Sequence, residues 1–197
     1  MSRSIRAPRA GKAETVQRLL DATASILSAD GAAGVSIQRV ADVAATSKGL
    51  VHYHFRGKGA LLAACTEYLT LQVIAAEEGA LANSTGATAL NDLWAVFTAT
   101  VGSGARRALA ALGTDATPDT RPALAESGAR RRQAAEATIA DLETLVGFKT
   151  VVPRSALAAA YVALTDGLAL DLSVRPQVDA RPAFDAFWLA VLTLGAE

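Results

Sequence analysis

Within the run KGLVHYHF, Lys48, His52 and Tyr53 stand on one side of a helical spacing, and Val51 and Phe55 stand on the other. Side chains of the first set bond phosphate oxygens or the edges of bases. Gly49 lets a backbone come close to base edges, Lys48 carries a long donor that reaches guanine O6/N7 or a phosphate, and Leu50 can press on a thymine methyl. The second set seats the element on a supporting helix. This division of labour is what a short helix lying in the major groove of DNA requires. For Tyr53 a place in the core is the competing reading, and contact with DNA is preferred. The pair His52 and His54 raises the question of a metal, but residues two apart point different ways on a helix, so no metal site is expected.

Such a helix must be held. A first helix is expected from about Ala13, with Val16, Leu19, Leu20, Thr23 and Leu27 on one face, ended by Asp30-Gly31. Ser36 is a natural N-cap for a second helix that turns Ile37, Val40, Ala41 and Ala44 inward. Ala44-Ala45-Thr46 forms the turn, and Ser47 or Thr46 caps the third helix, Ser47 to His54. Further helices are expected from about Gly57 to Gly79, Ala87 to Val101, Ala105 to Leu112, Arg121 to Val146, Pro153 to about Ser173, and Pro182 to Leu194. In the fourth, Leu61, Leu62, Cys65, Leu69 and Val73 line the buried side. The class is all-α: an N-terminal three-helix helix-turn-helix domain and a larger C-terminal helical domain. The divisions are a basic arm over 1–12, the helix-turn-helix domain over 13–58 and the C-terminal domain over 59–197.

The whole chain of 197 residues has zero formal net charge, and that average conceals an asymmetry. Residues 1–58 hold nine basic side chains against four acidic ones, a net of +5, which leaves −5 on the rest. A basic head on an acidic body suits a polyanion held by the head alone. Arg3, Arg6, Arg9 and Lys12 form an arm that either follows phosphates or enters a minor groove, or else is a solvated tail. The single cysteine, Cys65, excludes an intrachain disulfide and any multi-cysteine metal site. No secretory signal is visible, and the most apolar stretch, Ala156 to Leu172, is interrupted by Asp166 and Asp171, so a cytoplasmic protein without a membrane segment is expected. No Walker loop, G-x-S-x-G or H-E-x-x-H motif occurs, and no enzyme activity or cofactor is expected.

The stretch of about residues 14–74 resembles the DNA-binding domain of the TetR family of one-component bacterial transcription regulators. The likeness rests on the Gly31 stop, the S-I-x-x-V-A supporting helix, S-K-G-L ahead of an aromatic-rich end, and F-x-x-K-x-x-L-L, which is Phe55, Lys58, Leu61 and Leu62. It implies a homodimer reading a partly palindromic double-stranded operator, and a C-terminal domain that dimerises and binds a small-molecule effector. It also implies site residues. Ser36 would bond a phosphate and Gln38 would reach a base. Thr46, Ser47, Lys48, Gly49, Leu50, His52, Tyr53 and His54 would fall on the turn and reading helix, and Lys58 would meet the DNA backbone. The chain departs from the family in having Ala45 for glycine and Thr46 for valine in the turn, and His52 for tyrosine. Ala45 is mild if the residue need not take a positive φ. Gly57 replaces a better capping residue, at a cost of a few tenths of a kcal/mol.

The C-terminal body is less explicit. Trp94, Phe97, Thr98 and Val101 share a predicted helix face. Tyr68, Phe148, Tyr161 and Thr165 add aromatic or polar-tipped groups, a mixture that suits a mostly apolar effector pocket, though any one of them also fits an ordinary core. Ala156 to Leu172 and Pro182 to Leu194 are apolar on two sides, and a second buried side calls for a partner, here a four-helix bundle about a two-fold axis. The expected function is a ligand-responsive, sequence-specific DNA-binding regulator, a repressor released from its operator by a small molecule. The alternative is a helical ligand-binding or scaffold protein without DNA binding.

Overall fold

The computed structural model describes residues 11–194, and the arginines of the arm, Arg3, Arg6 and Arg9, lie outside them. Among the described residues there are nine α-helices and no strands. They are α1 (Lys12–Asp30), α2 (Ile37–Val43), α3 (Lys48–His54), α4 (Lys58–Leu81), α5 (Ala89–Gly102), α6 (Ala105–Thr114), α7 (Arg121–Val146), α8 (Arg154–Val174) and α9 (Arg181–Leu194), with a 3-10 turn at Ala32–Gly34.

The head forms because its local signals agree. Leu19, Leu20, Ile26 and Leu27 of α1 recur at helical spacing and are buried. The helix stops where Gly31 takes φ 69° and its N–H returns to the Leu27 carbonyl at 3.0 Å. Ser36 and Ser47 cap α2 and α3, their hydroxyl oxygens accepting from the backbone N–H of Arg39 and Leu50, each at 3.1 Å. Val40, Ala41, Ala44, Val51 and Phe55 then close on α1 and α4 as one apolar cluster. That cluster runs along α4 as far as Val73 and takes in Ala108, Leu109 and Leu112 of α6.

Two turn residues differ from expectation. Ala45 does take a positive φ, 49°, so its methyl is strained rather than mild. Gly57 has φ 127° and ψ −178°, a conformation essentially closed to other residues, so glycine there is required by the chain path and is not merely a weaker cap. Helix ends also shift. Ser47 is the cap and α3 starts at Lys48; α4 continues to Leu81; α5 starts at Ala89, after Thr88; and Pro153 precedes α8 instead of lying in its first turn.

The second apolar cluster lies at the far end, where Leu81, Leu93, Ile139, Leu142, Tyr161, Phe184 and Trp188 meet. α4 and α8 are long and apolar enough by composition to cross a bilayer. Both are central packing helices here: α4 meets α1, α5, α6 and α7, and α8 meets α5, α6, α7 and α9.

Candidate nucleic-acid interface and effector region

Across α3 the two sets of side chains separate as their spacing requires. Val51 is fully buried and Phe55 nearly so, while Lys48, Gly49, His52 and Tyr53 are exposed, Tyr53 to 72%. Tyr53 stands edge-on to His54, ring centroids 5.0 Å apart, and His54 and Leu50 are half-buried at the margin. Thr46 is half-buried in the turn, where its N–H donates to the Ala41 carbonyl at 2.9 Å.

Gly49 is informative through what it does not touch. A Cβ there would meet only the Ser47 oxygen, at 3.9 Å, so nothing inside the protein requires a glycine. A glycine inside a helix costs about 1 kcal/mol relative to alanine. The open space at this point leaves the backbone accessible to an approaching surface. Ser36 and Ser47 use their oxygens as caps, which leaves each hydroxyl hydrogen free to donate outward. Gln38 is exposed and braced against Asp42, its Nε2 donating to Oδ1 at 2.8 Å. Lys58 is exposed, but its Nζ donates to the Ala32 carbonyl at 2.8 Å. That bond ties the start of α4 to the 3-10 turn and leaves two ammonium hydrogens for a phosphate.

Arg39 pairs with Asp30 and donates to the Gly34 carbonyl at 3.2 Å. It fixes α2 to the end of α1. Gly34 permits this, since a Cβ there would stand 2.6 Å from the Asp30 Cβ.

The seven residues expected to line an effector pocket do not form one group. Trp94 and Phe97 pack with Phe184 at centroid distances of 5.3 and 6.3 Å, and Tyr161 packs on Trp188 at 5.4 Å. Thr165 is buried on the same side of α8 as Tyr161, its hydroxyl donating to the Val162 carbonyl at 3.1 Å. Phe148 lies half-buried against this cluster. Thr98 departs from the predicted face: it is exposed, and its hydroxyl donates to the carbonyls of its own helix at Trp94 and Ala95. The buried face of α5 is Leu93, Phe97 and Thr100. Tyr68 lies elsewhere, between α4 and α1, donating to Asp21 Oδ1.

At the centre of the body is a polar group that residue spacing did not disclose. The Arg106 guanidinium pairs with Glu77, donates through Nε to the Thr100 hydroxyl at 2.8 Å, and lies 5.3 Å from the Phe97 ring centroid. Tyr161 donates to the same Glu77 oxygen at 3.2 Å. Burial, then the Glu77 charge, raises the Tyr161 hydroxyl well above its ordinary pKa and keeps it a donor. The available signal was Glu77 itself, one turn from Val73 and from Leu81 on the buried row of α4. A carboxylate on such a row needs a buried cation.

Beside this group, α6, α7 and α8 enclose a cleft of about 450 Å³ lined by Leu109, Leu124 and Val162, with Arg131 donating twice to Asp166 at its edge. The outer faces of α8 and α9 are apolar and exposed at Ala163, Val174, Ala186 and Leu189, while Gly167 and Leu170 join the lining of the cleft.

These features describe an all-helical chain: a capped helix exposed on a small head, and a larger body with a polar centre. The comparisons carry this further. Residues 19–65 match the family model of bacterial regulatory proteins, tetR family. The head is thus similar to the DNA-binding segment of that family, and the whole chain has the fold of solved regulators of this kind. A transcriptional regulator from Rhodococcus sp. Rha1 shares 23% identity with a TM-score of 0.74, over 91% of this chain and 97% of that one. The regulatory protein TetR from Rhodobacter sphaeroides shares 18% with a TM-score of 0.73, over 91% and 98%. The regulator FadR from Bacillus subtilis, solved with stearoyl-CoA, shares 12% with a TM-score of 0.69, over 91% and 99%. No curated protein sequence matches the chain.

Proposed function

We propose that the chain is a homodimeric, ligand-responsive transcriptional repressor that reads a palindromic operator with α3 and releases it when a small molecule enters the body. The observation that carries this reading is the face of α3, with Lys48, Gly49, His52 and Tyr53 exposed on a helix whose other side is locked by Val51 and Phe55. Ser36, Gln38, Thr46, Ser47, Leu50, His54 and Lys58 frame the same surface. Two such helices from a dimer must stand about one DNA turn apart, roughly 34–36 Å.

The exposed apolar faces of α8 and α9 supply the dimer contact, since a helix apolar on both sides buries both. The effector enters by the cleft between α6, α7 and α8 and reaches the group around Trp94, Phe97, Tyr161 and Thr165. An apolar molecule with one polar group suits this lining. α6 transmits the event, because it touches α8 on one side and α1 and α4 on the other. A shift of a few kcal/mol between two head spacings suffices to release the operator. On this reading the protein works beside the chromosome, in the cytoplasm, and has no catalytic step.

The test is selection of bound sequences from random duplexes by the purified chain, followed by a mobility shift across salt. A palindromic consensus, with log K falling by about 0.9 per phosphate contacted for each unit of log salt, is expected. Retention of no duplex by an intact dimer would overturn the reading and leave a ligand-binding scaffold.

A further inference from the structure

A second cleft lies at the joint between head and body, away from the effector route proposed above. It measures about 600 Å³, and α1, α4 and α6 wall it, with Ser103 at the rim. That volume is within the range of small-molecule sites. Its lining is unusual for a surface crease. Asp21, Ser25 and Ser28 face it from one side of α1. Tyr68 and Gln72 face it from α4, over a floor that includes Leu69, Ala24 and Ala105. Arg107 faces it from α6.

Arg107 is the telling residue. Its Nε is buried without a hydrogen-bond partner among the described residues. The rest of the guanidinium makes no hydrogen bond or ion pair among the described residues, and where such a charge stands at a cleft wall a ligand anion reaching its terminal nitrogens is the natural complement. Its neighbour in sequence, Arg106, is by contrast fully committed to Glu77 and Thr100. Ser28 and Arg107 converge at Gly104. A Cβ on Gly104 would stand 2.3 Å from the Ser28 Oγ and 3.6 Å from an Arg107 terminal nitrogen, and φ there is 85°. A side chain at that position would fill the gap between guanidinium and hydroxyl.

The other end of the cleft has the opposite character. Asp21 lies seven residues before Ser28 on α1, about 10 Å along the axis. Its carboxylate accepts from Tyr68 and from Gln17. Gln72 donates to the Tyr68 oxygen at 2.5 Å, so this end is internally satisfied, while the Arg107 end is not.

We propose that this joint is a binding site for a small organic anion, its carboxylate or phosphate held by Arg107 and the Ser28 hydroxyl, its polar remainder lying toward Gln72 and Asp21. The bound anion ties α1 of the head to α4 and α6 of the body, and so stiffens the joint on which the spacing of the heads depends. Carboxylic acids and phosphate esters share the required chemistry.

The test uses the full chain with no DNA present, so its outcome is independent of whether the protein reads an operator. Inorganic phosphate and succinate are the probes, each compared with sodium chloride at equal ionic strength, and amide hydrogen exchange is the readout. Slower exchange in the last turns of α1 and the first turn of α6, saturating with probe, is expected. Protection by phosphate alone assigns phosphate esters, and protection by succinate alone assigns carboxylic acids. Arg107→Gln should weaken binding at least tenfold and Ser28→Ala several-fold, while Arg132→Gln, on the neighbouring cleft, should leave it unchanged. Should Arg107→Gln fold poorly, Arg107→Lys keeps the charge, loses the fork and should still weaken binding. No protection by either probe, or equal affinity in the wild type and the Arg107 variants, would overturn the proposal.

Discussion

The head and the body of this protein use polar residues in opposite ways. In the head, the polar residues that matter face outward, and the interior between α1, α2, α3 and the start of α4 is apolar and small. In the body, the decisive polar residues face inward: Glu77, Thr100, Arg106 and Tyr161 are buried together beneath an aromatic cluster. An exposed side chain meets a partner molecule and adds little to stability. A buried ion pair must satisfy its own chain first, because a charge out of water without its partner is severely penalised. The head therefore leaves its polar groups free for a partner molecule, while the body pairs its own with one another.

This contrast sets the size of each expected effect. The largest belongs to the body. Glu77→Ala leaves Arg106 buried and unpaired and should cost about 3–5 kcal/mol in denaturant unfolding. Arg130→Ala breaks exposed, solvent-screened pairs with Glu67 and Glu126 and should leave the unfolding midpoint nearly unchanged. Equal losses from the two would erase the distinction between interior and surface polar groups. Next comes the head, where stability and function should separate. Lys48→Ala with Tyr53→Ala should change unfolding by about 0.5 kcal/mol or less, since both are exposed. The same pair should weaken operator binding by tenfold or more in a mobility shift, with a salt slope shallower by about 0.9 for the lost phosphate contact. Val51→Ala should lower both stability, by about 1–3 kcal/mol, and binding, because it unseats the helix.

A smaller effect sharpens the picture of the turn. Ala45→Gly removes a methyl held at φ 49° and should raise stability by about 0.5–1 kcal/mol in thermal unfolding.

The smallest effect concerns pH. Burial, then the nearby Asp21 charge, pushes the Cys65 thiol up to about 12. Burial and the bond to Asp21 push the Tyr68 hydroxyl to about 12 as well. Both groups hold their proton more tightly in the folded chain than in the unfolded one. Their contribution is therefore complete below about pH 9, and it is lost as pH rises from there toward 12, where the unfolded chain ionises first. Stability followed by denaturant midpoints should be level near neutrality with respect to these groups and fall across that alkaline window. Alkylation of Cys65 by iodoacetamide at pH 8 should be slow unless the chain is unfolded.

The legibility of the two regions follows the same division. Most devices that shape the head are local, the Lys58 bond to the Ala32 carbonyl being an exception. A serine caps the amide three residues on, Gly31 stops α1, and the inside and outside of α3 alternate within seven residues. Such features are written into adjacent letters, and the residues expected to face outward from α3 do so at Lys48, Gly49, His52 and Tyr53. Two of its turn residues were misjudged, Ala45 and Gly57, because a positive φ is imposed by where the next helix must go. In the body the informative contacts join distant letters: Glu77 meets Arg106 across 29 residues and Tyr161 across 84. Helical periodicity marks a row as buried, but it cannot say which charge on another helix will lie opposite.

Thus the order of helices, the capped third helix, the basic head and the apolar outer faces of the last two helices were properties of the sequence, because each depends on residues within a turn or two of one another. The separation of Tyr68 and Thr98 from the aromatic cluster, the enclosure of Arg106 by Glu77, and the convergence of Ser28 and Arg107 at Gly104 were decided only when the helices packed. Packing chooses among many compatible pairings of faces, and it does so through shape, desolvation and charge summed over the whole interior, which no local stretch of chain contains.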